Sequence, residues 1–195
     1  NFLFYHLPKI LVLELGIDKP GEMDQLLSVA KPDIAILTGI SETHLEELKD
    51  IAGVRKEKLK IIEALSKKGA IIFNNDDKNL SGIDAPRGIK IVTFGSDGAD
   101  VSYTAPKVTV SGTKFILKIG SKNQEINSKL IGVHSVNILL AAAAVASEFE
   151  IGIEEIKEGL EEIKPQNGRM NPIKMKNEII VIDDSYNSNP TSAIE

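Results

Sequence analysis

One acid interrupts an otherwise apolar run in Ile10-Leu11-Val12-Leu13-Glu14-Leu15, directly before Gly16. A carboxylate buried in such a run must be paired or bound to metal, because its desolvation is otherwise too costly; the alternative is a strand-end acid that meets water. Thr43-His44-Leu45-Glu46 offers an imidazole that is either a ligand or a structural side chain. Lys58 lies on the apolar stripe of a helix, beside Leu59 and just before Ile61-Ile62. Either its stem snorkels past the core, or its amine has a use that tolerates burial. Gly168-Arg169 and Asp183-Asp184 set a cation and two acids around the last apolar run, either as a cluster that carries chemistry or as a surface ion pair worth ~0–1 kcal/mol. The chain has no cysteine and three histidines, so thiolate chemistry is excluded and a His-rich zinc centre is not available.

These side chains need elements to carry them. Ile10–Leu15 predicts a strand buried on both faces. Residues 22–30 have helical spacing and stop before Pro32. Residues 33–38 and 70–73 predict further buried strands, with a helix over 54–65 between them. Alternation of this kind implies βαβ units in a parallel sheet, with ligands beyond the carboxyl ends of the strands. Glu14, Thr38 and Asn74 all stand at such ends. Between Lys90 and Leu130 the helical period disappears, and Ser111-Gly112 and Gly120-Ser121 supply turns. An antiparallel patch inserted at about 90–130 is expected there, with short strands at 101–104, 107–110, 114–119 and 125–128. Helices over 136–149 and 153–163 and a last strand over 178–182 follow. The expected class is therefore α/β, a mostly parallel sheet flanked by helices with a small antiparallel insertion.

Length and composition bound the function. The 195 residues are 42% hydrophobic and 26% charged, enough for a core of useful size. The net charge of −5 argues against a nucleic-acid partner, which would require a basic excess. No apolar run reaches the ~18–20 residues of a membrane span, and the first residues lack the features of a signal peptide. A cytoplasmic domain is the expectation.

In their order along the chain, these pieces resemble the central ATP-binding domain of the Mur ligases, the ATP-dependent amide-bond-forming enzymes of peptidoglycan assembly. The resemblance runs through Glu14-Leu15-Gly16-Ile17-Asp18-Lys19-Pro20-Gly21-Glu22-Met23, Lys31-Pro32-Asp33, Thr43-His44-Leu45-Glu46, Gly53-Val54-Arg55-Lys56-Glu57-Lys58 and Asn74-Asn75-Asp76-Asp77. It continues through Gly132-Val133-His134, Gly168-Arg169 and Asp183-Asp184-Ser185-Tyr186-Asn187-Ser188-Asn189-Pro190. The likeness is greatest to the branch that joins a D-amino-acid dipeptide, D-alanyl-D-alanine, to a UDP-N-acetylmuramoyl-peptide.

The resemblance implies roles. Glu14 and His44 would hold magnesium near the ATP phosphates. Lys58 would be carbamylated by carbon dioxide, and the carbamate would help to place a second magnesium. Arg169 would contact phosphate and Asp184 the ribose. His134 and Ser135 would lie near the adenine, and Asn74 near the nucleotide. Glu14, His44 and Lys58 are then expected to converge, with tips within ~10 Å for shared metal coordination.

The sequence also departs from the family pattern. Ser135 stands where the family has Asn, Ile138 where a second Asn is usual, and Lys60 where Glu is common. The phosphate loop Gly-x-x-Gly-Lys-Thr does not occur in these residues. The expectation is a fragment: a truncated central domain over 1–182, then a hinge and the start of a further domain over 183–195. Such a fragment is expected to be inactive in isolation, although its parent is an enzyme. Folylpolyglutamate synthase, a cyanophycin-synthetase-like enzyme and a non-catalytic binding module remain as alternatives.

Overall fold

A computed structural model describes residues 8–41 and 45–186. Six strands form one sheet in chain order: β1 (Ile34–Leu37), β2 (Ala70–Asn74), β3 (Lys90–Gly95), β4 (Val101–Thr109), β5 (Gly112–Ile119) and β6 (Lys122–Ser128). The pairs β1–β2, β2–β3 and β3–β4 are parallel, and β4–β5 and β5–β6 are antiparallel. The expected mixed α/β class is what the chain adopts.

Helices α1 (Glu22–Val29), α2 (Leu45–Leu48) and α3 (Ile51–Glu63) precede β2, and α4 (Val133–Glu148) and α5 (Ile153–Glu162) follow β6. Side chains of a strand alternate between faces, and β2 divides accordingly. Ile71 and Phe73 join the core with Met23, Leu27, Val54, Ile61 and Ile62 of α1 and α3. Ile72 joins Val92 and Phe94 against Leu139, Leu140, Ala143 and Ala144 of α4. Ile71 and Ile72 are wholly buried, as expected of a strand covered on both sides. Asp50 starts α3 by accepting a hydrogen bond from Gly53 N at 2.8 Å, satisfying one of the free donors of the first turn.

Three sequence expectations are corrected. Residues 10–15 form no strand, and Ile10, Leu11, Val12 and Leu13 are 52–84% exposed. A buried strand needs a ladder partner and cover on both faces, and the described residues supply neither. Lys90–Gly95 is not part of an antiparallel patch but pairs parallel to β2, from Ala70↔Lys90 to Asn74↔Phe94. The pleat has the same period in both orientations, so the hydrophobic pattern alone cannot distinguish them. The segments 101–104 and 107–110 merge into β4, with a register shift between Thr104 and Lys107 where Ala105 has φ +53°. No helix among the described residues is long and apolar enough to cross a membrane.

The last strand is β8 (Ile180–Asp183), paired antiparallel with β7 (Asn171–Lys174) in a separate hairpin. Its turn places Asn177 at φ 59° and Glu178 at φ 61°. Asn tolerates the left-handed region, whereas Glu is strained there by roughly 1–2 kcal/mol. Glu178→Gly should stabilise the turn by about 0.5–1 kcal/mol after the entropic cost of glycine. The Met175 amide donates to Ile179 O at 2.8 Å across this turn. Its hydrogen-exchange protection should rise about two- to fivefold, and unchanged or lower protection would refute the strain argument.

Candidate functional site

At the carboxyl edge of the parallel strands, the backbone leaving β1 is held by side chains from two other elements. Lys58 of α3 is half-buried, and its Nζ donates to Gly39 O at 2.9 Å. Asp77, just beyond β2, accepts from Ile40 N at 2.7 Å through Oδ2 and from Asn79 N at 2.8 Å through Oδ1. Asn79 Nδ2 donates to Ile40 O at 3.1 Å. Asn74 accepts from Asp76 N at 3.0 Å, and its Nδ2 faces Thr38 O at 3.4 Å. Asp76 reaches the end of β3, where it accepts from Ser96 N and Ser96 Oγ. The β1, β2 and β3 ends are thus tied into one polar edge, and Lys58 and Asn74 both belong to it.

The electrostatics of Lys58 follow from this position. Burial lowers the pKa of its amine from the ordinary lysine value, against the pull of nearby Asp77, which raises it. Desolvation disfavours the charged form of an amine, so its neutral, nucleophilic form gains population. Lys58 therefore reaches inward to a backbone carbonyl, where a snorkelling lysine would end in water.

The neighbouring residue does different work. Glu57 is 4% exposed and accepts from Gly21 N at 2.8 Å and Met23 N at 3.1 Å, holding the first turn of α1. Lys60 pairs with Glu57 at 2.8 Å and with Asp24 at 2.6 Å. Burial would raise the Glu57 pKa, but Lys60 and the two amides outweigh it and hold it below the ordinary carboxylate value. Adjacent residues of α3 thus secure two loops, one leading into α1 and one leaving β1.

A second cluster joins the 165–170 loop to the end of β8. Gly168 N donates to Asp183 Oδ2 at 3.1 Å, Met170 N to Asp184 Oδ1 at 3.0 Å, and Tyr186 N to Gly168 O at 3.1 Å. Ser185 Oγ donates to Asp183 Oδ1 at 2.6 Å, the main cause that lowers the pKa of this carboxyl. The expected alternative of an Arg169 ion pair with these acids is not realised among the described residues. The acids accept backbone amides, and the Arg169 guanidinium lies 4.0 Å above the Tyr186 ring.

The remaining candidates are dispersed. His134 and Ser135 open α4, with Ser135 buried and donating to Gly132 O at 2.7 Å. The His134 ring lies beside Gly132, where an added Cβ would be 2.3 Å from ring carbon Cε1, and with φ +98° a side chain at Gly132 would be strained as well as crowded. Glu14 is exposed, contrary to the expectation of a buried, paired carboxylate, because residues 10–15 do not enter the sheet. His44 lies outside the described residues, as do Thr43 and 187–190, so the convergence of Glu14, His44 and Lys58 falls outside them too. Among the described residues, no group of three His, Cys, Asp or Glu side chains is placed to hold a metal ion. Sequence reasoning missed Asp77 and Glu57 as holding groups. Asp77 stood inside a string already noted, and Glu57 sat beside Lys58 on a helix, but nothing in the sequence announced the loops they bind.

The comparisons with known proteins bear on this arrangement. The Mur ligase middle domain model matches residues 4–146. The UDP-N-acetylmuramoyl-tripeptide--D-alanyl-D-alanine ligase of Escherichia coli K12 is 32% identical over 183 residues, covering 91% of this chain and 40% of that protein. The crystal structure of MurF from Acinetobacter baumannii superposes with a TM-score of 0.86 at 30% identity, over 93% of this chain and 40% of that one. The MurF ligase from Thermotoga maritima in complex with ADP shares the fold, with a TM-score of 0.77 at 22% identity over 90% of this chain and 40% of that one. The chain thus spans about 40% of the length of these relatives.

Proposed function

The chain belongs to the Mur ligase middle-domain family, and from that premise we propose that it is the nucleotide-handling part of an ATP-dependent ligase. The reaction joins D-alanyl-D-alanine to a UDP-N-acetylmuramoyl-peptide, the activity for which the E. coli relative is named. The observation that carries the reading is Lys58. A half-buried amine with a lowered pKa, bonded to Gly39 O at 2.9 Å beyond β1, stands where doubly wound sheets bind their ligands.

The chemistry is a two-step acyl transfer. A substrate carboxylate attacks the γ-phosphorus of ATP, and the bond to the bridging oxygen breaks, giving an acyl phosphate and ADP. The dipeptide amine then attacks the activated carbonyl, loses a proton and expels inorganic phosphate. Most of the catalytic work lies in bringing anions together and neutralising their charge. Arg169 supplies guanidinium donors to phosphate, and Asp184 retains Oδ2 for the ribose while Oδ1 holds Met170 N. The His134–Ser135 turn at the start of α4 borders the base, and Asn74 the nucleotide. After the Lys58 ammonium gives up one proton, the neutral amine attacks the carbon of carbon dioxide; the N–C bond forms as one C=O π bond opens and a second proton leaves, so that a cationic side chain becomes an anion with two hard oxygens. Magnesium suits those oxygens together with Glu14 and His44, and would neutralise phosphate charge when bound. A substrate set of this kind belongs to the cytoplasm.

The direct test incubates the full-length protein with ATP, magnesium, UDP-N-acetylmuramoyl-tripeptide and D-alanyl-D-alanine. Phosphate release should require both the tripeptide and the dipeptide, and a product heavier by one dipeptide residue pair should be seen by mass spectrometry. Phosphate release indifferent to both substrates, with no new product, would overturn the assignment.

A further inference from the structure

Tyr186 is 70% exposed, yet its ring is not idle. The Arg169 guanidinium lies 4.0 Å from its centroid, within the range of a cation–π contact. Three backbone features hold the pair together. Tyr186 N donates to Gly168 O at 3.1 Å, and Gly168 sits so close that an added Cβ would lie 3.1 Å from Tyr186 N and Cβ. Gly168 has φ +73°, so a side chain there would be strained and would crowd Tyr186. Met170 adopts φ 44°, unusual for a non-glycine residue, and its N–H is taken by Asp184 Oδ1 at 3.0 Å. Arg169 is therefore flanked by two left-handed residues, and both neighbours are tied to the 183–186 segment.

A ring beneath one face of a guanidinium leaves its edge N–H groups free. Among the described residues no carboxylate or carbonyl accepts from the Arg169 side chain, so its in-plane fork remains open to an anion. We propose that Tyr186 is a positioning residue: its ring holds the Arg169 guanidinium flat and presents the open edge to the phosphates of ATP. This rests on the reading of Arg169 as a phosphate contact and adds the group that orients it. The hydroxyl plays no part, since only the π face meets the cation.

The experiment is calorimetric titration of ATP with magnesium into the full-length protein and four variants. Arg169→Ala should weaken binding about tenfold, and Tyr186→Leu about threefold, the scale of a partly exposed cation–π contact. Tyr186→Phe should restore the affinity of the unsubstituted protein. Adding Tyr186→Leu to Arg169→Ala should cost nothing further, because the ring then has no cation to hold. Additive losses, or a Tyr186→Phe variant as weak as Tyr186→Leu, would overturn the positioning role. So would unchanged binding in Tyr186→Leu alongside weakened binding in Arg169→Ala, which would leave the phosphate role of Arg169 standing. Unchanged binding in Arg169→Ala would remove that role itself, and the inference with it.

Discussion

Lys58→Ala in the full-length protein should lower the rate of the proposed amide formation by ~100-fold or more, the scale of losing several kcal/mol of charge stabilisation at a transferring phosphoryl group. Folding should survive, because the side chain contributes one hydrogen bond, to Gly39 O, worth about 1 kcal/mol. A short-chain carboxylic acid added in solution should recover part of the activity by supplying the oxygens of the lost carbamate. Lys58→Arg should be equally inactive and should gain nothing from the acid, since a guanidinium stays cationic and cannot be carbamylated. Steady-state rates of phosphate release, with and without added acid, decide the matter. Equal and unrescued losses in both variants would make Lys58 a holder of the Gly39 loop and no more. Full activity in Lys58→Arg would end the carbamate proposal.

Glu57→Ala should produce the largest loss of stability among the polar substitutions considered, about 2–4 kcal/mol. The reason is its burial: the Gly21 and Met23 amides would lose their shared acceptor inside the protein, 4% exposed in the native fold. Glu57→Gln retains an amide oxygen for those donors but loses the charge that faces Lys60, so its cost should be smaller and dependent on pH. The folded pKa of Glu57 lies below the ordinary carboxylate value, held there by Lys60 and the Met23 and Gly21 amides against the effect of burial. A depressed carboxylate contributes stability that is fully present above the unfolded pKa and is lost as pH falls through the folded one. The stability difference between the unsubstituted protein and Glu57→Gln should thus be constant near neutrality and shrink in acid. Urea denaturation at pH 7, 5 and 3 measures it. A difference that grows as the pH falls would reverse the sign of the argument.

The two positions are neighbours on one helical turn yet serve different loops, which shows where legibility in sequence ends. Alternation and apolar runs foretold β1, β2, α1 and α3, because burial on one or both faces imposes a period that local residues must carry. The order of short motifs pointed to the family, and Lys58 stood out because a lysine on an apolar stripe calls for a reason.

What the period could not carry was orientation and partnership. Lys90–Gly95 has the pattern of any half-buried strand, and only its register with β2 made it parallel. Ile10–Leu15 is apolar enough for a sheet centre, yet an apolar run becomes a strand only where backbone partners exist, and among the described residues it has none. Glu14 consequently lies in solvent. By residue type alone, Arg169 with Asp183 and Asp184 suggests a surface ion pair. The hairpin instead turned both acids toward backbone amides and brought a ring under the cation. Local composition determined which segments were buried and which residues were capable of chemistry. The tertiary structure decided which donors each acid met, because hydrogen bonds are directional over about 3 Å and their partners lie far away in the chain.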